Sequence, residues 1–369
     1  MMTALALARR GLGRAWPNPA VGCVLVDPEG YAVGRGWTQP GGRPHAETEA
    51  LARAGRAARG ATAYVSLEPC SHKGKTPPCA DALVSAGIAR AVIAVEDPDP
   101  RVSGSGIERL RKAGIEVKVG MCRRDAERLN AGFIKRVTVG RPLVTLKLAT
   151  TLDGRIATHG GESRWITGDT ARQWSHALRA SHDAVVTGAS TVRVDDPELT
   201  CRLPGMEDRS PVRVVLDSRL TTPLTSSLAA TAREIPTWLV TVEGANDDRR
   251  DAFVQCGVDV LEVPADDGGR PEAVAALKAL AARGITRVLV EGGAAITATM
   301  FRANAVDRIA WFRAPDVMGG DGIPVAHGFG VDRLGDMASF ARIDVIAAGR
   351  DVMELYERSV RAGAARGEE

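Results

Sequence analysis

The strand–helix alternation of this chain runs through once, halts at Gly140-Arg141-Pro142, and then begins again. That restart is the strongest constraint on the fold, because a single sheet with one core would need no second beginning. Before the break, AVGCVLVDPEGYAVGRGW reads as two strands around a Pro-Glu-Gly turn. HAETEALARAGRAARG is helical, with Gly60 as its expected C-cap. ATAYVSLEP, RAVIAVEDP and EVKVG follow as strands, separated by helical CADALVSAGI and GIERLRKAGI, and CRRDAERLNAGFIKR closes the series as a helix. After Pro142 come strands LVTLKLATTLDG, DAVVTGA, VRVVLDS, TWLVTV, DVLEV, RVLVEGG and DRIAWFRAP, with helices around ARQWSHALRAS and PEAVAALKALAARG. Two α/β domains are expected, at residues 1–142 and 143–369, as the length of 369 residues also suggests. The small, charged residues of VRAGAARGEE at the end are expected to fray.

Composition narrows the partners. A net charge of +3 is small for this length, so nothing demands a nucleic acid or an anionic membrane surface. The apolar run in MMTALALARRGLGRAW is short and lacks a preceding basic region, so it reads as a first helix rather than a signal peptide. A cytoplasmic location is therefore expected. Six cysteines are too few for a disulfide scaffold in a chain this long. Cys23, Cys122, Cys201 and Cys256 lie in strand-like or helix-like surroundings and are expected to pack as small apolar side chains.

The other two cysteines differ. LEPCSHKGKTPPC carries Cys70 and Cys79 with eight residues between them, downstream of His45-Ala46-Glu47. A catalytic zinc takes three protein ligands and keeps its fourth position for water, and His45, Cys70 and Cys79 supply three of the right softness. Glu47 stands two residues from His45, close enough to exchange a proton with that water without ligating the metal. Zinc-dependent base deaminases use H-x-E followed by P-C-x-x-C, and here the cysteines are set wider. Two blander readings compete: a closed zinc site with His72 or Cys122 as fourth ligand, which would leave Glu47 without a role, and unconnected core residues. VEGGAAITATM, a strand entering two glycines and a helix, would let a phosphate approach a helix N-terminus, but it is not the G-x-G-x-x-G fingerprint, and a tight turn needing positive φ is the plainer reading.

Taken together, PNPAVG, HAE and EPCSHKGKTPPC resemble the deaminase domain of the bifunctional riboflavin-biosynthesis deaminase/reductase family. KLATTLDGRIA, SRWITG, TVRVDDPELT and VEGG resemble its reductase domain, in the same order. The resemblance spans residues from about 10 to 355. It implies a cytidine-deaminase-like zinc domain followed by a dihydrofolate-reductase-like α/β domain. The implied activity is zinc-dependent deamination of 2,5-diamino-6-(5-phosphoribosylamino)pyrimidin-4-one, then NADPH-dependent reduction of its ribosyl group to ribityl. It further implies Asn18 at the pyrimidine or ribose and Lys75 at the 5′-phosphate, held by Thr76-Pro77-Pro78. NADPH contacts carry over to Ala149, Trp165, Thr191, Asp195, Ser218, Gly293, Ala294, Ala295, Ile296, Thr297, Ala298 and Thr299. Substrate contacts carry over to Ser163, Arg179, Leu199, Arg202 and Glu291, the two arginines as phosphate partners. Lys147 and Asp153 lie near the implied site of hydride transfer without an assigned role, and a homo-oligomer is suggested. One position departs: the family usually has a histidine where GWTQPGG has Thr38, and a hydroxyl cannot carry charge near pH 6.

Two other classes of function fit the residues less well. A deaminase of tRNA or other single-stranded nucleic acid would want a basic groove with interleaved aromatics, and only 4% of these residues are aromatic. A zinc-stabilised nucleotide-binding or regulatory module with one inactive domain would have no use for Glu47.

Overall fold

The computed structural model describes residues 1–72, 77–100 and 102–359. The chain divides into two compact units, Met1–Pro142 with Ala281–Thr286, and Leu143–Leu280 with Arg287–Glu369.

The first run of elements is α1 (Met2–Ala8), β1 (Gly22–Val26), β2 (Ala32–Trp37), α2 (Ala46–Ala54), β3 (Thr62–Val65), α3 (Cys79–Ser85), β4 (Arg90–Ile93), α4 (Ser105–Lys112), β5 (Glu116–Val119), α5 (Arg123–Leu129) and α6 (Ala131–Val139). The sheet order is β2-β1-β3-β4-β5. β1 pairs antiparallel with β2 and β3, whereas β3–β4 and β4–β5 are parallel. Leu25, Val65, Leu67, Leu83, Ile93 and Leu110 fill its core.

Two local expectations shift. The helix from Ala46 stops at Ala54, capped by Gly55, and Gly60 lies beyond it in a separate turn. The last helix breaks at Asn130, whose side chain faces Ala20 on both sides: Ala20 N donates to Oδ1 at 3.0 Å and Nδ2 donates to Ala20 O at 3.1 Å. An asparagine that serves distant backbone in this way competes with helix continuation.

The second run is β6 (Leu143–Thr150), β7 (Arg155–Ala157), α7 (Asp169–Ala180), β8 (Ala184–Gly188), α8 (Ala189–Asp195), β9 (Val212–Leu216), α9 (Ser227–Ala230), β10 (Thr237–Val242), α10 (Asp247–Gln255), β11 (Asp259–Val263), α11 (Ala273–Ala282), β12 (Arg287–Glu291), α12 (Ala294–Arg302), β13 (Arg308–Arg313), β14 (Ile323–Pro324), β15 (Phe340–Ala348) and β16 (Asp351–Arg358). A nine-stranded sheet takes the order β11-β10-β9-β8-β12-β6-β13-β16-β15. Pairing is parallel from β11 through β13 and antiparallel for β13–β16 and β16–β15. Central β12 is buried at every residue, which is why its sequence reads as a continuous apolar run rather than an alternation.

Candidate functional site

In the first unit, α2 and α3 present their N-terminal ends to one point. His45 is the residue that caps α2, Cys79 opens α3, and Cys70 lies on the loop after β3. His45 Nδ1 is 3.3 Å from Cys79 Sγ and 3.6 Å from Cys70 Sγ, and the three ligand atoms lie within 4.8 Å of one another. All six cysteines are free thiols. Two sulfurs and an imidazole nitrogen converging without a disulfide are the donor set that a borderline-soft divalent ion such as zinc takes, so the residues fit that metal. Among the described residues neither His72 nor Cys122 joins the group, and Cys122 Sγ lies 3.8 Å from Met2 Sδ instead.

Electrostatics favour a charged sulfur here. Hydrogen bonding from Cys79, with His45 beside it, outweighs burial and brings the Cys70 thiol down to about 4. Cys79 moves up, because it keeps the proton in that hydrogen bond and is buried. Glu47, in the first turn of α2, is 3% exposed. Burial raises its carboxyl to about 7, against the pull of His45. A carboxyl poised there can both accept and return a proton near neutral pH.

The backbone around these residues is held by short-range fits. A methyl group on Gly36 of β2 would lie 2.1 Å from Ala46 O, so only glycine lets α2 pack this closely. Gly42, with φ +81, accepts a 3.0 Å hydrogen bond at its carbonyl from Asn18 Nδ2, and a side chain there would strike the same amide. Glu68, which the sequence reading passed over, accepts four backbone N–H bonds, from Asp97, Gly104, Gly106 and Ile107, at 2.8–3.1 Å. Its position two residues before Cys70 is the available signal: it fastens the loop that carries that sulfur to the N-terminus of α4. Thr38 is 2% exposed, and its hydroxyl donates to Pro19 O at 3.0 Å and accepts from Val21 N at 2.9 Å. Lys75 and Thr76 lie outside the described residues.

In the second unit the candidate residues gather along one edge. β9, β8, β12 and β6 are neighbours and parallel, so their carboxyl ends share an edge of the sheet, where open α/β sheets bind ligands. Ser218 follows β9, Thr191 and Asp195 lie on α8 directly after β8, Gly293 to Thr299 begin α12 after β12, and Ala149 is near the end of β6. Gly292 lies against Thr187 and Thr191, which brings α8 and the start of α12 together. Arg164 Nη2 donates to Asp195 O at 2.9 Å, tying the Ser163–Trp165 loop to α8. Trp165 is 70% exposed, with the Arg172 guanidinium 4.5 Å from its ring.

The substrate candidates separate by environment. Glu291 ends β12 beside Lys147 of β6, to which it is the register partner. Arg179 of α7 clasps Glu291 with two hydrogen bonds of 2.7 and 3.0 Å and gives a third to Thr200 O at 3.0 Å. Burial alone would raise Glu291, but Arg179 outweighs it and holds the carboxyl at about 2. Burial lowers Lys147, against the attraction of Glu291. Arg202 is exposed and paired with Glu198 at 2.6 Å. Leu199 is 3% exposed within the apolar core, with its backbone in the left-handed region at φ 55. The TVRVD of TVRVDDP completes helix α8, which Asp196 ends in the left-handed region, where its carboxylate accepts from Ser227 N and Oγ at 2.8 Å. Asp153 accepts from Thr151 Oγ1, Met318 N and Gly319 N at 2.6–3.1 Å. These bonds hold Asp153 at about 2 and make it a tie for the loop at 318–319 rather than a proton donor.

Known proteins agree with this architecture. Residues 142–347 match the family described as RibD C-terminal domain, and residues 1–95 match the cytidine and deoxycytidylate deaminase zinc-binding region. The riboflavin biosynthesis protein RibD of Bacillus amyloliquefaciens is 43% identical over 95% of this chain and 94% of its own. That of Escherichia coli K12 is 39% identical over 95% and 96%. Among solved structures, Acinetobacter baumannii RibD superposes with a TM-score of 0.86 at 37% identity, covering 97% of both chains. A Thermotoga maritima diaminohydroxyphosphoribosylaminopyrimidine deaminase/5-amino-6-(5-phosphoribosylamino)uracil reductase gives 0.84 at 35% identity, again covering 97% of both. With a His-Cys-Cys cluster that matches a deaminase zinc-binding region in one unit, a RibD-type sheet in the other and this likeness along nearly its whole length, the chain belongs to the RibD family of bifunctional riboflavin-biosynthesis enzymes.

Proposed function

We propose that residues 1–142 deaminate 2,5-diamino-6-(5-phosphoribosylamino)pyrimidin-4-one and that residues 143–369 reduce the ribosyl group of the product with NADPH. The observation that carries the first step is the meeting of His45 Nδ1 with the Cys70 and Cys79 sulfurs beside buried Glu47. His45, Cys70 and Cys79 would hold one zinc, which when bound supplies the Lewis acidity that makes water nucleophilic near neutral pH. Glu47 takes the proton from the attacking water and hands it to the departing amine, which leaves as ammonia. Asn18 faces the pyrimidine or ribose, and Lys75 meets the 5′-phosphate as a compact charge.

For the second step, Ala149, Trp165, Thr191, Asp195, Ser218 and the opening of α12 from Gly293 through Thr299, at the carboxyl edge of β9, β8, β12 and β6, would hold NADPH. When bound, NADPH would supply the hydride that, with a proton from solvent, converts the opened ribosyl group to ribityl. Ser163, Leu199, Arg202 and the Arg179–Glu291 pair contact the sugar phosphate. Arg202 is the better phosphate partner of the two arginines, since its pair with Glu198 is exposed and easily exchanged, whereas Arg179 is held in a buried clasp by Glu291 and Thr200 O. The substrate is a free nucleotide-like molecule, so neither nucleic acid nor membrane takes part.

One assay tests both steps: the diaminopyrimidine substrate with zinc and NADPH, following ammonia and NADPH oxidation together. The expected result is ammonia release followed by oxidation, with no ammonia from cytidine or RNA. Ammonia from RNA, or none from the diaminopyrimidine, would overturn the reading. Purified active protein should carry one zinc per chain, and Lys75→Ala should raise KM for the phosphorylated substrate more than for its dephosphorylated analogue.

A further inference from the structure

We infer that Thr38 and Asn130 form a two-point clamp on the Pro19–Val21 backbone and thereby position Asn18 for the deaminase substrate. The inference rests on the proposed contact between Asn18 and the substrate, and it assigns a purpose to the position where this chain lacks the family's usual histidine.

The segment from Pro17 to Val21 has no helix or strand of its own, so its backbone polar groups need partners from elsewhere. They find them in side chains far along the sequence. The Thr38 hydroxyl donates to Pro19 O at 3.0 Å and accepts from Val21 N at 2.9 Å. The Asn130 amide brackets the residue between them, accepting from Ala20 N at 3.0 Å and donating to Ala20 O at 3.1 Å. Four successive backbone groups of three residues are thus fixed by two buried side chains, Thr38 at 2% and Asn130 at 3% exposure. Asn18 stands directly before this clamped stretch, and its own amide is braced on Gly42 O at 3.0 Å. With both sides of Asn18 fixed, its side chain meets a ligand without first losing rotamer and backbone freedom, which is how preorganisation raises affinity. Thr38 acts through Asn18 and does not touch the reacting atoms; it is a positioning residue.

A double-mutant cycle separates this role from plain stability. Thr38→Val keeps the shape and removes both hydrogen bonds. It should raise the deaminase KM about tenfold, the scale of one lost hydrogen-bonding interaction, with kcat within about threefold. Thr38→Ser, which keeps the oxygen, should restore KM to within about twofold of wild type. In an Asn18→Ala background, Thr38→Val should change KM by less than about twofold, because the residue it positions is gone. An unchanged KM in Thr38→Val, or a full tenfold effect that persists without Asn18, overturns the clamp while leaving the deaminase reading intact. An Asn18→Ala protein with wild-type KM instead overturns the substrate contact, and the clamp's purpose with it. If Thr38→Val does not fold, Asn130→Asp, which keeps the acceptor for Ala20 N and loses the donor to Ala20 O, enters the same cycle under the same criteria.

Discussion

Glu47 and Glu291 are both nearly buried, at 3% and 8% exposure, yet their carboxyl groups are driven in opposite directions. Burial dominates at Glu47 and lifts it to about 7, whereas Arg179 overrides burial at Glu291 and holds it at about 2. One carboxyl is thereby suited to moving protons and the other to remaining a fixed charge. Glu47→Gln should cut ammonia release by about 10² to 10⁴. Glu291→Ala should instead impair NADPH oxidation and leave ammonia release near wild type. Because it strands the largely buried Arg179 guanidinium, it should also cost about 3–5 kcal/mol of stability, measurable by chemical denaturation. A variant that melts like wild type would show that Arg179 finds another partner. His45, Cys70, Cys79 and Glu47 were legible in the sequence because motif chemistry fixes their residue types. Glu68, Asn130 and Arg179's clasp on Glu291 were not, since each depends on which distant segments the fold brings together.

Between elements, the decisive contact is α2 on β2. Gly36 admits Ala46 O where any Cβ would lie 2.1 Å away, so the helix that starts at His45 and carries Glu47 lies directly on the strand. Gly36→Ala must push α2 outward, and zinc content and deamination should fall together while NADPH oxidation from the deaminated intermediate persists. Full zinc occupancy in this variant, measured by elemental analysis, would contradict the account. The parallel strands of the second unit were readable as apolar runs, as was the restart after Pro142. The β15–β16 hairpin was not foreseen: Val352 to Arg358, after the Gly349-Arg350 turn, carries no strict alternation, since Val352 adjoins Met353 and Leu355 adjoins Tyr356. Its burial is irregular because β15 is an edge strand, exposed through most of its length, so no clean apolar face marks it.

For the whole molecule, acid should act first on the second unit. His182 is 2% exposed, with Nδ1 2.7 Å from Leu178 O and Nε2 2.9 Å from Thr145 Oγ1. Burial lowers it from 6.5 to about 3, so the unfolded chain binds a proton that the fold refuses. Its contribution is therefore complete above about pH 6.5 and is lost progressively as pH falls toward 3. Glu291, lowered from 4.5 to about 2, adds a loss of the same sign below about pH 4.5. Calorimetry should show the second unit's transition falling from pH 6.5 downward, and His182→Gln should flatten that slope above pH 4.5; a pH-independent transition between 6.5 and 5 would refute it.

In the proposed reaction, two separate sites act in succession. The most direct test gives folded Glu47→Gln protein NADPH and either the diaminopyrimidine or its deaminated product, and follows absorbance of the cofactor. No oxidation is expected from the diaminopyrimidine, and a wild-type rate is expected from the deaminated product. Loss of oxidation with both would mean a single shared site, and oxidation with both would mean that reduction does not wait for deamination.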